Sequence, residues 1–162
     1  MRSLQIRNRL DELASREASP SEQMAIKQLQ RERDRLVQES SVREVIAMRI
    51  AGIKASSAYC KLDGLSRTRS EKPTAKDWEG LQSEVAREFT DVAALLERNS
   101  IQHKERLVCL MICAGFRPKA MGILLGNSPE HISSIRRRLG LKLFGKECRA
   151  KEFDQKLLSF KL

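Results

Sequence analysis

The chain has few aromatic residues and no long apolar run. Phe, Trp and Tyr make up 4% of its 162 residues, which argues against a large β-sandwich and against a ligand pocket lined by aromatic rings. No run of about 18 apolar residues is present to span a membrane. The first seven residues, Met1–Arg7, are too polar for a secretory signal peptide. We therefore expect a cytoplasmic protein with no membrane span in this chain.

Motifs for metal binding and catalysis are also missing. The spacing of the four cysteines forms neither a C-x-x-C pair nor a zinc ribbon: Cys60, Cys109, Cys113 and Cys148. Cys109 and Cys113 lie in an apolar helical stretch, where cysteine behaves as a small hydrophobic residue. The sequence contains no P-loop, no H-E-x-x-H and no glycine-rich nucleotide loop. It predicts that the chain is not an enzyme, and it implies no metal site and no cofactor.

Positive charge is present in excess and is unevenly distributed. The formal net charge is +10. Residues 101–162 hold 13 Lys and Arg against 5 Asp and Glu, whereas residues 1–100 hold 18 against 16. A concentrated positive field attracts polyanions, and nucleic acid is the leading candidate.

No segment alternates polar and apolar residues as a strand would, so the sequence predicts an all-α protein. A short amphipathic helix is expected over residues 2–17. Ser19-Pro20-Ser21-Glu22 has the form of a capping box; it either starts a new helix or kinks a longer one, and the helix runs to about Ala55. Its apolar positions form an irregular stripe: Ile26, Leu29, Leu36, Val42, Val45, Ile46, Ile50 and Ile53. Because this stripe needs a partner, we expect residues 1–62 to form a long, coiled-coil-like arm that joins two copies of the chain.

The middle of the chain, residues 63–100, is predicted to be a loop followed by a connecting helix. Residues 63–73 are polar and end in Pro73, which is typical of a linker or an exposed loop. Thr74 and Asp77 resemble a helix cap. The helix that they open presents one apolar face from Trp78 to Leu96.

Glycines divide the last third of the chain, residues 101–162, into helices. The pattern predicts helices over Lys104–Ala114 and Pro118–Leu125, a third over about 129–143, and a last one from about Ala150 to Phe160. The turn at Gly126-Asn127 separates the second helix from the third, which makes the pair a helix-turn-helix. We therefore predict a four-helix DNA-binding domain over residues 101–162.

The third of these helices has two different faces. Ser128 is suited to cap it, and Pro129 fits its first position. Ile132, Ile135 and Leu139 recur at helical spacing and point towards a core, whereas the opposite face carries polar residues: Glu130, Ser133, Ser134 and Arg137. Taken alone, this pattern is also that of an ordinary amphipathic surface helix with a charged flank.

Several positions in this region follow one spaced pattern: Ile101, Glu105, Val108, Gly115, Met121, Gly122, Leu125, Gly126, Ser128, Ile132, Lys142 and Leu143. In this pattern residues 101–162 resemble the DNA-binding domain of LuxR/NarL-type bacterial transcription regulators. The resemblance implies base-reading roles for Ser133, Ser134 and Arg137 in the major groove. Residues placed for backbone phosphates are Lys119, His131, Arg136 and Lys142. Two departures from the family pattern are Arg117 where it has a capping serine or threonine, and Ser133 where lysine is common.

A looser resemblance covers nearly the whole chain. It rests on the long charged helix, on Ser57-Ala58-Tyr59, on Asp77-Trp78, and on the ending Lys142-Leu143-Phe144-Gly145. With these features the chain resembles the cytoplasmic part of membrane-anchored sensor regulators. The resemblance implies an upstream membrane sensor that is absent from this chain, whose cytoplasmic part this chain would be.

The sequence thus predicts a sequence-specific transcription regulator that binds double-stranded DNA as a homodimer, through the long helix, the C-terminal helix or both. The alternative is a protein-interaction module that resembles the promoter-reading part of sigma factors and docks RNA polymerase instead of reading DNA. Salt dependence separates the two, because each phosphate contact steepens the salt response of binding.

Overall fold

The computed structural model describes residues 19–162 together with Ser3, Gln5, Ile6 and Asn8, and all regular secondary structure in these residues is helical. The helices are α1 (Pro20–Lys54), α2 (Ser57–Thr68), α3 (Ala75–Glu88), α4 (Thr90–Arg98), α5 (His103–Cys113), α6 (Pro118–Leu125), α7 (Pro129–Phe144) and α8 (Ala150–Leu158). The prediction of an all-α protein is confirmed. The helix predicted over residues 2–17 lies outside the described residues, apart from the four positions named above.

The chain separates into two compact units, Met1–Val45 and Ile46–Leu162. Helix α1 contributes residues to both units. The domain boundaries predicted from the sequence, after residues 62 and 100, stay predictions.

Most of the described part of the first unit is the N-terminal portion of α1, which begins with a capping box. The Ser19 hydroxyl accepts a hydrogen bond from the Glu22 amide at 3.3 Å, and the Glu22 carboxylate accepts one from the Ser19 amide at 3.2 Å. The predicted cap is therefore confirmed. Met24 and Val37 are exposed apolar residues in this portion of the helix. Coiled-coil pairing and dimerisation through α1 stay predictions.

The second unit is built around α5, which is apolar on nearly all sides. Every residue from Leu107 to Ala114 is buried. A helix that is apolar all round is expected at the centre of a core, and α5 packs against α3, α6, α7 and α8. These surrounding helices each bury one face against it. The central helix thereby fixes where α6 and α7 lie within this unit.

Two predictions about the middle of the chain are wrong in detail. Residues 63–68 are helical, because α2 continues to Thr68 and buries Leu62 and Ser66. The predicted single helix after Thr74 is broken at Phe89, whose backbone (φ −118°, ψ 62°) separates α3 from α4. The buried Phe89 side chain belongs to the core, and no glycine or proline marks the break in the sequence.

Candidate nucleic-acid interface

The turn between α6 and α7 has the local geometry that its sequence predicts. Gly126 ends α6 in the left-handed region, with φ 71°, and the Asn127 amide donates to the Gly122 carbonyl at 2.8 Å. Ser128 caps α7 by accepting a hydrogen bond from the His131 amide at 3.2 Å, and Pro129 is in the first turn. The helix runs to Phe144, one residue beyond the predicted end. The two helices are therefore joined by a short and well-defined turn.

Two glycines let neighbouring segments approach these helices closely. A Cβ atom at Gly122 would collide with the Asn127 carbonyl oxygen, so glycine is needed where the turn folds back on α6. A Cβ atom at Gly140 would collide with the Cys148 sulfur. Gly140 thus marks a close approach and not an early end of α7, since the helix continues past it.

Helix α7 buries its apolar face and leaves part of its polar face exposed. Ile132, Ile135 and Leu139 are buried, as predicted. Arg137 is exposed, and Ser133 and Ser134 are half-buried. The Ser134 hydroxyl donates a hydrogen bond to the Glu130 carbonyl at 3.1 Å. In this conformation the hydroxyl can accept a hydrogen bond from a base but cannot donate one. Of the three predicted base-reading residues, Arg137 has the most accessible hydrogen-bonding groups.

Several cations near this face have no ion-pair partner among residues 19–162. Arg137 is one of them, and so is Arg138, which follows it and is also exposed. Lys119 on α6 and His131 in the first turn of α7 are likewise exposed and unpaired within the described chain. These side chains are available to an external anion.

Arg136 is not available as a phosphate contact, which corrects the sequence-based assignment. Its side chain is only 5% exposed. Its Nε atom donates to Oδ1 of Asp154 at 2.9 Å, and its Nη2 atom donates to Oδ2. The position is on the flank of α7 that α8 covers, so this bidentate ion pair joins the two helices.

Lys142 has a partner within the chain, so it is less freely available to a phosphate than the sequence pattern implies, and its phosphate contact stays a prediction. Its ammonium group contacts both carboxylate oxygens of Glu105, at 2.8 and 2.9 Å. Glu105 is 3% exposed and accepts a further hydrogen bond from the Gln102 amide at 2.8 Å. The ion pair joins the first turn of α5 to the last turn of α7.

The ion pair makes the Glu105 carboxylate a stronger acid. Burial acts to raise the pKa of Glu105, but the hydrogen bonds from Lys142 and from the Gln102 amide outweigh it and hold the pKa below the ordinary value of 4.5. The carboxylate is therefore more stable in its ionised form in the folded chain than in the unfolded chain.

We expect the free energy of unfolding to decrease as the pH falls below 4.5, and to decrease less in Glu105→Gln than in the wild type. The stabilisation by ionised Glu105 is complete above the unfolded pKa and is lost as the pH falls through the lower folded pKa. Near neutral pH the substitution should cost about 1–3 kcal/mol, because two charge-assisted contacts are lost. Urea unfolding across acidic pH measures this. Glu97→Gln, at an exposed position on α4, is the control; a Glu105→Gln curve parallel to that of the wild type would contradict the assignment.

Leu141 is a surface residue of α7 that the sequence analysis did not single out. It is 58% exposed and follows Arg137 by one helical turn. The signal was present in the sequence, since positions four apart share a helix face. An apolar side chain next to exposed arginines suits contact with a macromolecule.

The described part of the chain offers neither a cluster of metal ligands nor, at Cys109 and Cys113, an accessible thiol. Among these residues no group of three or more His, Cys, Asp and Glu side chains could hold a metal ion. Cys109 and Cys113 are buried on α5, and burial raises the pKa of both thiols. These two thiols therefore remain protonated and unreactive.

None of the helices in the described ranges combines the length and the apolar character needed to cross a bilayer.

The exposed face of α7, its capped first turn and the supporting ion pairs make up the candidate interface. Arg137, Ser133 and Ser134 come together on it, with His131 at its beginning. Arg136 and Lys142 instead bind α8 and α5. Comparison with protein-family models, with curated proteins and with solved structures finds no match to this chain.

Proposed function

We propose that this protein is a sequence-specific, DNA-binding transcription regulator of the LuxR/NarL type. Helices α6 and α7 act as a helix-turn-helix, and α7 enters the major groove as the recognition helix. The observation that carries this proposal is the exposed Arg137 on α7, which has no ion-pair partner among residues 19–162. An arginine in this setting can donate two hydrogen bonds to guanine, and Ser133 and Ser134 flank it.

Phosphate contacts come from a revised set of residues. Lys119 and His131 remain from the sequence-based set, and the exposed Arg138 joins them. The first turn of α6 supports Lys119, because Arg117 occupies the cap position without a side-chain hydrogen bond to the helix. Unsatisfied backbone N–H groups at a helix N-terminus favour a bound phosphate.

The proposal includes dimerisation, since a dimer presents two recognition helices to two half-sites. Helix α1 offers exposed apolar residues such as Met24 and Val37 for this purpose. The regulator acts in the cytoplasm, and an upstream membrane sensor is part of the proposal.

A second candidate function is docking to RNA polymerase, as in the sigma-factor resemblance. The exposed Leu141 favours it, because apolar surface beside arginine is compatible with a protein–protein interface, where arginine is enriched. In this case α7 would face a protein surface and Arg137 would pair with an acidic residue.

Salt dependence of duplex binding separates the two functions. We expect the full chain to bind a duplex selected from a random library, with log K falling linearly against log salt by about 0.9 for each phosphate contact. A flat salt response, together with binding to purified RNA polymerase, would favour the second candidate.

Arg137→Ala should weaken binding to the selected duplex by roughly 5- to 150-fold, or about 1–3 kcal/mol, and should reduce the preference at one base pair. The loss arises because the bidentate contact to one base disappears. The control is Arg98→Ala, which removes an exposed arginine at the end of α4. Fluorescence anisotropy on the selected duplex and on duplexes with single base changes measures both effects. Equal affinities of the two variants would refute base reading by Arg137.

A further inference from the structure

A groove follows α6 on the side that packs against α2. One part of it, with a volume of about 570 Å³, lies over the aromatic pair Tyr59 and Phe116, whose ring centroids are 4.8 Å apart. A second recess of about 720 Å³ shares Arg69, Lys119 and Ile123 with the first. The second recess reaches Gly126 and Pro129, at the turn and at the start of α7. We call these two connected recesses the α2–α6 groove.

The α2–α6 groove has a strongly positive lining. Its cationic residues are Lys54, Arg67, Arg69, Lys72, Arg117 and Lys119. Only two acidic residues line it, Asp63 and Glu71, and Asp63 is already paired with Arg67 at 3.2 Å. The other five cations have no ion-pair partner in the part of the chain that the structure describes. A cleft lined by charges of one sign focuses the electric field and favours a polyanion.

The cations are distributed along the groove and do not converge on one point. Lys54 lines the first recess, Lys72 lines the second recess next to α7, and Lys119 lines both. Arg69 is shared as well, and its amide donates to the Leu65 carbonyl at 3.0 Å where α2 ends. A linear polyanion can contact such a row at successive positions, whereas a small anion would use only part of it.

We propose that the α2–α6 groove binds the sugar-phosphate backbone of DNA next to the major groove that α7 occupies. The proposal rests on the proposed function and extends the DNA contact beyond residues 101–162. The backbone of one DNA strand extends from the first turn of α7 past Lys119 and then past Arg69 and Lys72. These contacts add affinity but read no sequence, since phosphates are the same at every base pair.

The test compares two double variants that remove equal charge. Arg69→Asn with Lys72→Gln changes the groove, and asparagine tolerates the left-handed backbone of position 69 (φ 53°). Lys27→Gln with Arg98→Asn changes exposed cations on α1 and α4 and is the matched control. Thermal melting of both variants of this chain first establishes that they fold like the wild type.

The groove variant should reduce the slope of log K against log salt by about 1.8 for two lost contacts, while the control keeps the wild-type slope. Its preference among single-base-change duplexes should stay that of the wild type. Hydroxyl-radical footprinting should show protection lost at flanking backbone positions only.

The possible failures are distinguishable. If the wild type binds DNA in an Arg137-dependent way and the groove variant matches the control, the groove proposal is wrong and the proposed function stands. If the wild type binds no duplex, both are wrong. If the groove variant keeps the wild-type salt slope but loses binding to a poly-glutamate peptide, the groove serves an acidic protein partner and the proposal is overturned.

Discussion

We expect Asp154→Ala to lower the free energy of unfolding by about 3 kcal/mol. The substitution leaves the guanidinium group of Arg136 buried without a counter-charge, and removing one partner of a buried pair costs about 3–5 kcal/mol. We expect the lower end of this energy range because the pair is not completely buried: the Asp154 side chain is 24% exposed, whereas that of Arg136 is only 5% exposed. Urea or thermal unfolding measures the loss. In a chain of this size it corresponds to a decrease in Tm of roughly 6–12 °C.

Glu152→Ala is the matched control on the same helix. Glu152 is 48% exposed and contacts Lys156 at 3.7 Å, and an exposed pair of this kind contributes about 0–1 kcal/mol. A second comparison, Arg136→Met with Asp154→Leu, removes both charges and should restore most of the lost stability. If Arg136 served mainly to bind phosphate, Asp154→Ala would leave the stability unchanged.

The elements that the sequence predicted best are those determined by local chemistry. The cap at Ser128 and the cap formed by Thr74 and Asp77 depend on hydrogen bonds that span three residues. The turn at Gly126 needs a left-handed backbone that glycine adopts without strain. Each of these signals lies within a few consecutive residues, so the start of α3 and the α6–α7 turn could be predicted from the sequence alone.

The bounds that were predicted incorrectly depend on packing between distant segments. Residues 63–68 are polar enough to suggest a loop, yet α2 continues through them because Leu62 and Ser66 are buried. The break at Phe89 is marked by no glycine or proline, and the buried ring lies 5.5 Å from the Arg49 guanidinium. Tertiary contacts of this kind override local preference and leave no short-range pattern.

The residues of the candidate site also fall into those placed by local spacing and those placed by packing between helices. Helical spacing was sufficient to place Arg137 on the exposed face of α7 and Ile132 in the core. It was not sufficient for the residues on the flanks of the helix. The partner of Arg136 is 18 residues away in sequence, and the partner of Lys142 is 37 residues away. Which flanking cations face solvent therefore depends on how α5 and α8 pack, and the pattern within α7 does not contain that information.

We expect Phe153→Ala to give the largest loss of stability of the substitutions considered, about 3–5 kcal/mol. Phe153 lies on α8 and is fully buried, with its ring centroid 5.9 Å from that of Phe144 on α7. Removing the ring leaves a cavity between these two helices and also weakens their packing on α5. Thermal unfolding should show a decrease in Tm of roughly 6–20 °C.

The same substitution tests whether the C-terminal helix is a dimer contact. Phe153 uses its apolar surface within the chain, so its loss should change stability, and any dimer formed through α1 should persist below the new Tm. Phe160→Ala is the graded control: this ring is only partly buried, lies 6.3 Å from Phe144, and should cost less. Multi-angle light scattering beside the melting curves separates the effects. A Phe153→Ala chain that keeps its Tm would contradict the place of this ring in the core. If that chain also changed from dimer to monomer, α8 would be a contact between two copies.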